Sequence, residues 1–283
     1  MSNIKIMTQD DIDFAVRLTN YESWANSKFD FERLIKLNPS GNFVARDDNK
    51  RVGIITTAIF GKLAFVGNLI VSGKFRGQGF GRDLMEHALG YLKKQKDITS
   101  IELDGDFPAV ELYRKLGFRD KYFSLRFCRK PADNNNSDIE NIEPGIVEPS
   151  RIIALDYKLI NTPNIIRDKF LAEFVNHHNG QIYVSETNGI SGFSIIRKCY
   201  GDYYVIGPTM ADSPKSAELL IQSVVENYSS EVIYAGVPEI NLSAVDIMLR
   251  NGFCYEQPSL RMYLGDKIDY ENNIYTIISG DVG

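Results

Sequence analysis

Only three cysteines and three histidines occur in 283 residues. Cys128, Cys199 and Cys254 lie far apart with no Cys-x-x-Cys spacing, so neither a disulfide framework nor a zinc site is indicated, and buried free thiols are expected. Long apolar runs are missing too. No stretch approaches the roughly 20 residues a membrane helix needs, and the opening MSNIKIMTQDD carries acids where a secretory signal would be apolar. A soluble, cytoplasmic protein with no membrane partner is expected. A sequence pI of 5.4, with no basic stripe interleaved with aromatics, speaks against nucleic acid.

What is present is ordinary globular material. Hydrophobic residues make up 43% and charged residues 24%, which excludes disorder and a coiled coil. At roughly 100 to 200 residues per domain, the length favours two domains. Charge is unevenly spread: residues 1–130 hold 22 Lys and Arg against 16 Asp and Glu, a net of +6, and the rest hold 10 against 21, a net of −11. A basic half suits a polyanionic cofactor and an acidic half can attract a cationic amine, although solvated surfaces account for the same asymmetry.

Apolar periodicity and turn residues predict a strand at Ile4 to Met7, helices from Asp10 to Asn20 and Phe31 to Leu37, and strands at Asn42 to Arg46, Val52 to Ile59 and Leu63 to Val71. A glycine-rich turn and a helix from Phe80 to about Lys94 follow. A strand from Ser100 to Leu103, a helix from Pro108 to Leu116 and a strand from Tyr122 to Arg129 complete the unit. Residues 131–149, with DNNNSD and no apolar period, read as a linker. The plan then recurs. AVELYRKLGF from Ala109 aligns with AVDIMLRNGF from Ala244 at an offset of 135, and Ser124-Leu125-Arg126 meets Ser259-Leu260-Arg261 at that offset. Constant spacing across several segments marks an internal repeat, with a first domain over 1–130 and a second over 150–283.

The turn Arg76-Gly77-Gln78-Gly79-Phe80-Gly81-Arg82 links a strand to a helix, where free first-turn N–H groups and the helix dipole favour phosphate. It is no dinucleotide fingerprint, because the third glycine of GxGxxG is missing, and no Gly-Lys-Ser/Thr follows. The second copy carries Ala211-Asp212-Ser213-Pro214-Lys215-Ser216 there. Pro214 removes an N–H and Asp212 adds negative charge, so that turn is expected to hold phosphate poorly.

Arg76, Gly79 and Gly81 behind Leu69-Ile70-Val71, with ELYRKLGF further on, resemble the motifs of the GNAT acetyltransferase superfamily, and the duplicated layout is similar to bacterial tandem GNAT proteins. The resemblance implies two mixed α/β folds, each a twisted mixed sheet flanked by helices. It implies that the backbone of Leu69, Ile70 and Val71 and of Arg76, Gly77, Gln78, Gly79, Phe80, Gly81 and Arg82 binds acetyl-CoA. It also implies that Tyr113 protonates the leaving thiolate and that a strand amide near Val71 meets the oxyanion. Met248 replaces the tyrosine in the second copy. Some members carry a glutamate where Phe65 stands, so Asp104, with Glu102 behind it, is the candidate base; surface or turn carboxylates are the plainer reading. Many members also have an asparagine where Asp106 stands, which here could cap the helix. Trp24, between the first two helices, is the candidate substrate contact, with core packing as the alternative. The implied activity is direct acetyl transfer from acetyl-CoA to an amine of a small molecule or peptide, without a metal. A non-catalytic CoA-binding sensor or partner-binding module is the alternative. Neither the acceptor nor the oligomeric state is carried by a motif.

Overall fold

The computed structural model describes residues 3–24, 26–132, 141–176, 180–186, 189–199, 201 and 203–283. The first half runs β1 (Asn3–Ile6), α1 (Ile12–Tyr21), α2 (Lys28–Leu37), β2 (Phe43–Asp47), β3 (Lys50–Phe60), β4 (Leu63–Val71), α3 (Phe80–Leu92), β5 (Ser100–Gly105), α4 (Phe107–Lys115) and β6 (Arg119–Arg129). The second half repeats it: α5 (Pro149–Ile160), α6 (Asp168–Asn176), β7 (Gly180–Glu186), β8 (Ile190–Lys198), β9 (Tyr203–Ala211), α7 (Pro214–Asn227), β10 (Val232–Pro238), α8 (Leu242–Arg250), β11 (Cys254–Tyr255), β12 (Ser259–Gly265) and β13 (Ile274–Thr276). Helix α2 starts three residues before the apolar period does. The Asp30 carboxylate there accepts the Ser27 N–H at 2.8 Å, closing a capping box. All three cysteines are free thiols; Cys128 and Cys199 are buried as expected, whereas Cys254 is exposed on the short strand β11.

Both copies are mixed sheets flanked by helices, yet the two sheets are continuous. Strand order is β1-β2-β3-β4-β5-β12-β6-β10-β9-β8-β7. The last long strands are exchanged between the copies: Leu260 of β12 pairs with Gly105 on one side and with Phe123 on the other, and Phe127 of β6 pairs with Ala235 of β10. The sequence repeat and the spatial unit therefore differ by one strand each.

Alternation along β4 sorts the core onto two faces. Ala64 and Val66 join Leu84, Met85 and Ala88 of α3. On the other face Phe65 joins Phe60, Leu155 of α5, Phe170 of α6, Ile278 and Val282, a core shared by both halves. At the exchanged strands the interior is charged. Lys121 Nζ lies 2.7 Å from Glu102 and 2.5 Å from Glu271, and the Tyr270 hydroxyl donates to Glu102 at 3.0 Å, all buried.

Two departures from regular pairing make the site. Parallel strands β4 and β5 pair from Leu63–Ser100 only as far as Phe65–Glu102, although β4 continues to Val71 and β5 to Gly105. Against β3, Ile54 faces Ile70 but Thr56 faces Gly67, so β4 carries a bulge in which Asn68 takes a left-handed φ of 51°. Asparagine tolerates that conformation better than most residues, and a bulge re-aims the strand beyond it. The strands thus splay. In the second half, β9 and β10 also part after Ile206–Ala235. There β13 pairs with β9 at Met210 and Thr209, and the Ile277 N–H donates to the Gly236 carbonyl at 2.9 Å. The second gap is filled by the chain itself.

Candidate active site

The turn after β4 has the shape its glycines suggest. Gly77 and Gly79 lie at φ of 76° and 91°, which side-chain-bearing residues rarely adopt, and nothing stands within 4 Å of where a Cβ would be. Gly79 is the N-cap of α3 and brings no side-chain acceptor, so the positive end of the helix opens onto free space. The arginines at its ends are already engaged: Arg76 Nε donates to the Val71 carbonyl at 2.8 Å and its Nη2 pairs with Glu22, while Arg82 Nε meets Glu86 at 2.8 Å. Gln78 Nε2 donates to the Lys74 carbonyl at 3.0 Å. On β4, Leu69 and Val71 pack towards α3 and Ile70 towards α1. The counterpart turn is closed, because Ser213 Oγ accepts from the Ser216 N–H at 3.3 Å and Pro214 occupies the first turn of α7. An extended chain in the splay, with its diphosphate on the glycine turn, fits the first half and not the second.

Tyr113 faces the same side of the sheet. Its ring packs in the α3 core beside Phe118 and against Gly105, where a Cβ would come within about 2.9 Å of it. Burial, reinforced by Asp106, raises its phenol far above the ordinary value. It therefore stays protonated at neutral pH. Asp106 is the α4 N-cap by position, but its carboxylate makes no cap hydrogen bond and lines the cavity described next. Asn241 in the second copy does cap, accepting the Ala244 N–H at 3.1 Å.

On the opposite face lies a cavity of about 540 Å³ built from both halves. The first half contributes Trp24, Asn26 and Asp30 before and in α2, Gly67 and Asn68 at the bulge, and Asp104, Asp106 and Arg126. The second half contributes Arg197, Tyr203, Tyr234, Glu256 and residues 277–281. Its lining carries five carboxylates and two guanidiniums, and Arg33 and Arg261 behind it pair with Asp30 and Asp104, which leaves a small excess of acid. Trp24 is half-buried, lines this cavity and packs against the α1 core.

The carboxylates expected as candidate bases are both engaged in ion pairs. Asp104 lies within β5, not beyond it, and burial would raise its carboxyl, but Arg261 and Arg126 hold it below the usual carboxylate range. Arg126 Nη2 donates to it at 2.8 Å, and Arg261 Nε sits 2.6 Å away, off the line a hydrogen bond needs. Asp104 Oδ1 therefore has an ion-pair partner but no hydrogen bond among the described residues, and the two guanidiniums favour the ionised carboxylate over the protonated one. Glu102 is bound to Lys121 and Tyr270; burial pushes its carboxyl up, and Lys121 and Arg261 offset that only in part. Phe65 is core, its ring 5.0 Å from the Arg261 guanidinium. His87 is exposed beside Phe43, and His177 and His178 lie outside the described residues.

Several site residues had not been singled out: Asn68, Asp30, Arg126, Arg197 and Asp281. Arg126 carried a signal, because it and Arg261 are matched by the repeat. The others come from segments whose meeting depends on the strand exchange and the course of the chain after β13.

Comparisons with known proteins agree with this geometry. Residues 10–118 match the acetyltransferase (GNAT) family and residues 153–276 match an acetyltransferase (GNAT) domain. Among curated proteins, none matches the chain significantly. Among solved structures, a protein from Pyrococcus horikoshii assigned to the acetyltransferases superposes with a TM-score of 0.83 at 21% identity, covering 100% of this chain and 96% of that one. A tandem GNAT protein from the clavulanic acid biosynthesis pathway gives 0.65 at 15%, covering 95% and 100%. A GCN5-related N-acetyltransferase from Sphaerobacter thermophilus gives 0.63 at 13%, covering 95% and 97%. At such identities the superpositions speak to fold, and the two matched domains carry the family. The chain belongs to the GNAT acetyltransferase superfamily, with two GNAT domains in tandem.

Proposed function

We propose that the chain transfers an acetyl group from acetyl-CoA to an amine, with the first half binding acetyl-CoA and the second half completing the acceptor pocket. The observation that carries this reading is the open splay of β4 from β5, with the glycine turn at one end and an acidic cavity on the opposite face. Acetyl-CoA supplies the activated acyl group as a thioester. The α3 N-terminus and the amides of residues 77–82 hold the diphosphate, and the edge of β4 that β5 leaves unpaired holds the pantetheine arm. Tyr113, kept protonated by burial, donates to the sulfur as its charge grows. The cavity's excess of carboxylates favours a cationic acceptor, and Trp24, Tyr203 and Tyr234 offer aromatic faces to it.

The test is a panel of small amines and short peptides assayed for thiol release from acetyl-CoA. Release that depends on the amine, with the acetylated product seen by mass, supports the reading. Tight CoA binding with no amine-dependent release favours a sensor instead.

A further inference from the structure

The carboxylates of the cavity are not alike. Asp104 is held by two arginines, and Asp30 accepts from Arg33 Nη1 at 3.0 Å and from Ser27. Asp281, on the segment that leaves β13, reaches the bulge of β4 from the other half. It presses on Gly67, where any Cβ would overlap it, and its Oδ2 accepts from Asn68 Nδ2 at 2.9 Å and more weakly from Asn26 Nδ2 at 3.5 Å. Its carboxylate also accepts from the Ser279 hydroxyl and its own backbone N–H, so it rests on neutral donors only, and it lines the cavity.

Asn68 supplies a second observation. Its Nδ2 is spent on Thr56 Oγ1, at 3.1 Å, and on Asp281, which fixes the orientation of the amide. Its Oδ1 is then a buried acceptor with no hydrogen-bond partner among the described residues. An unpaired buried acceptor beside a carboxylate, at the point where β4 leaves β5, is a place for an N–H-rich cation.

We infer that Asp281 is the proton acceptor of the acyl transfer, and that Asn68 Oδ1 holds the acceptor ammonium beside it; this rests on the acetyltransferase reading above. The alkylammonium gives one proton to Asp281. The lone pair so freed forms the N–C bond to the acyl carbon, and the C–S bond breaks with its electron pair passing to sulfur. The second N–H proton ends on that sulfur by way of the Tyr113 hydroxyl, and Asp281 returns its proton to solvent. Ammonium and thioester become amide, thiol and one released proton. Burial, with the charge of Asp30 added, raises the Asp281 carboxyl above its ordinary value, the direction a base needs. Asp30 and Arg33 of α2, Arg197 of β8, Asp104 of β5 and Arg126 of β6 are charged groups around this segment, and Asp106 and Glu256 line the same cavity.

The experiment compares wild type with Asp281→Asn on two kinds of acceptor. One is the best alkylamine of a panel, an ammonium until about pH 10; the other is methoxyamine, which is unprotonated at neutral pH. CoA affinity is read by calorimetry alongside. For the alkylamine at pH 7, kcat/KM should fall about 100-fold or more in the variant and recover as pH approaches the ammonium pKa. Methoxyamine turnover and CoA affinity should stay within a few-fold. Equal losses for both acceptors at every pH, or undiminished alkylamine turnover, overturn the role of Asp281 and leave the acetyltransferase reading standing. Absence of amine-dependent thiol release from the wild type removes both. If Asp281→Asn weakens CoA binding, Asp281→Ser is held to the same expectations, and loss of CoA binding there as well overturns the assignment.

Discussion

Arg126 and Arg261 stand at equivalent positions of the two copies, and both guanidiniums reach the carboxylate of Asp104, at 2.8 and 2.6 Å. They arrive on the exchanged strands β6 and β12, so one acid of the first half is held by both copies at once. Asp104→Asn should destabilise the protein by about 3–5 kcal/mol, because it leaves the buried Arg261 guanidinium with only the more distant Glu102 carboxylate, at 3.5 Å. The arginines depress its carboxyl below the ordinary value, so its contribution is present above about pH 4 and is lost as pH falls further. Denaturant unfolding at pH 7 and at pH 3 should show the gap between wild type and variant narrowing in acid. A gap that does not change with pH refutes the assignment.

A chain ending at Lys130 should not fold. It keeps β5 and β6 but lacks β12, which lies between them and brings Leu260 and Met262 into the α3 core. Circular dichroism on heating should show no cooperative transition. A cooperative transition together with CoA binding would mean that the exchange is dispensable.

Gly79→Ala should abolish the rise in melting temperature that CoA produces in the wild type. Its φ of 91° costs an L-residue about 1–2 kcal/mol, and the new methyl occupies the open turn. Ser216→Gly, at the closed turn of the second copy, should leave the rise intact. An unaltered CoA shift in Gly79→Ala moves the diphosphate elsewhere.

Tyr113→Phe preserves the ring against Gly105 and removes only the hydroxyl. Turnover should drop about 10²- to 10⁴-fold while CoA affinity holds. A rate within about twofold of wild type assigns the sulfur's proton to water and returns Tyr113 to the core.

Much of this architecture was legible because its causes are local. Apolar alternation marked the strands and the helix periods, the glycines of residues 77–81 marked a turn that needs left-handed backbone, and the 135-residue offset marked the duplication. Strand exchange was not legible, since β6 and β12 share Ser-Leu-Arg at the repeat offset and no local feature says which of them lies beside β5. Asp104 looked like a free carboxylate for that reason, its partners being fixed by which strand lies beside β5. Asp281 lies 213 residues from Asn68 and carries no motif. Its position follows from β13 filling the second splay and directing the chain onto the first.

The most direct test of this account is a calorimetric titration of the whole chain with CoA. The first splay is open and has its glycine turn; the second is occupied by β13 and Ile277 and has a turn capped by Ser213. One CoA per chain is predicted, with binding lost in Gly79→Ala and kept in Ser216→Gly. Two CoA molecules per chain, or one that survives Gly79→Ala, would contradict it.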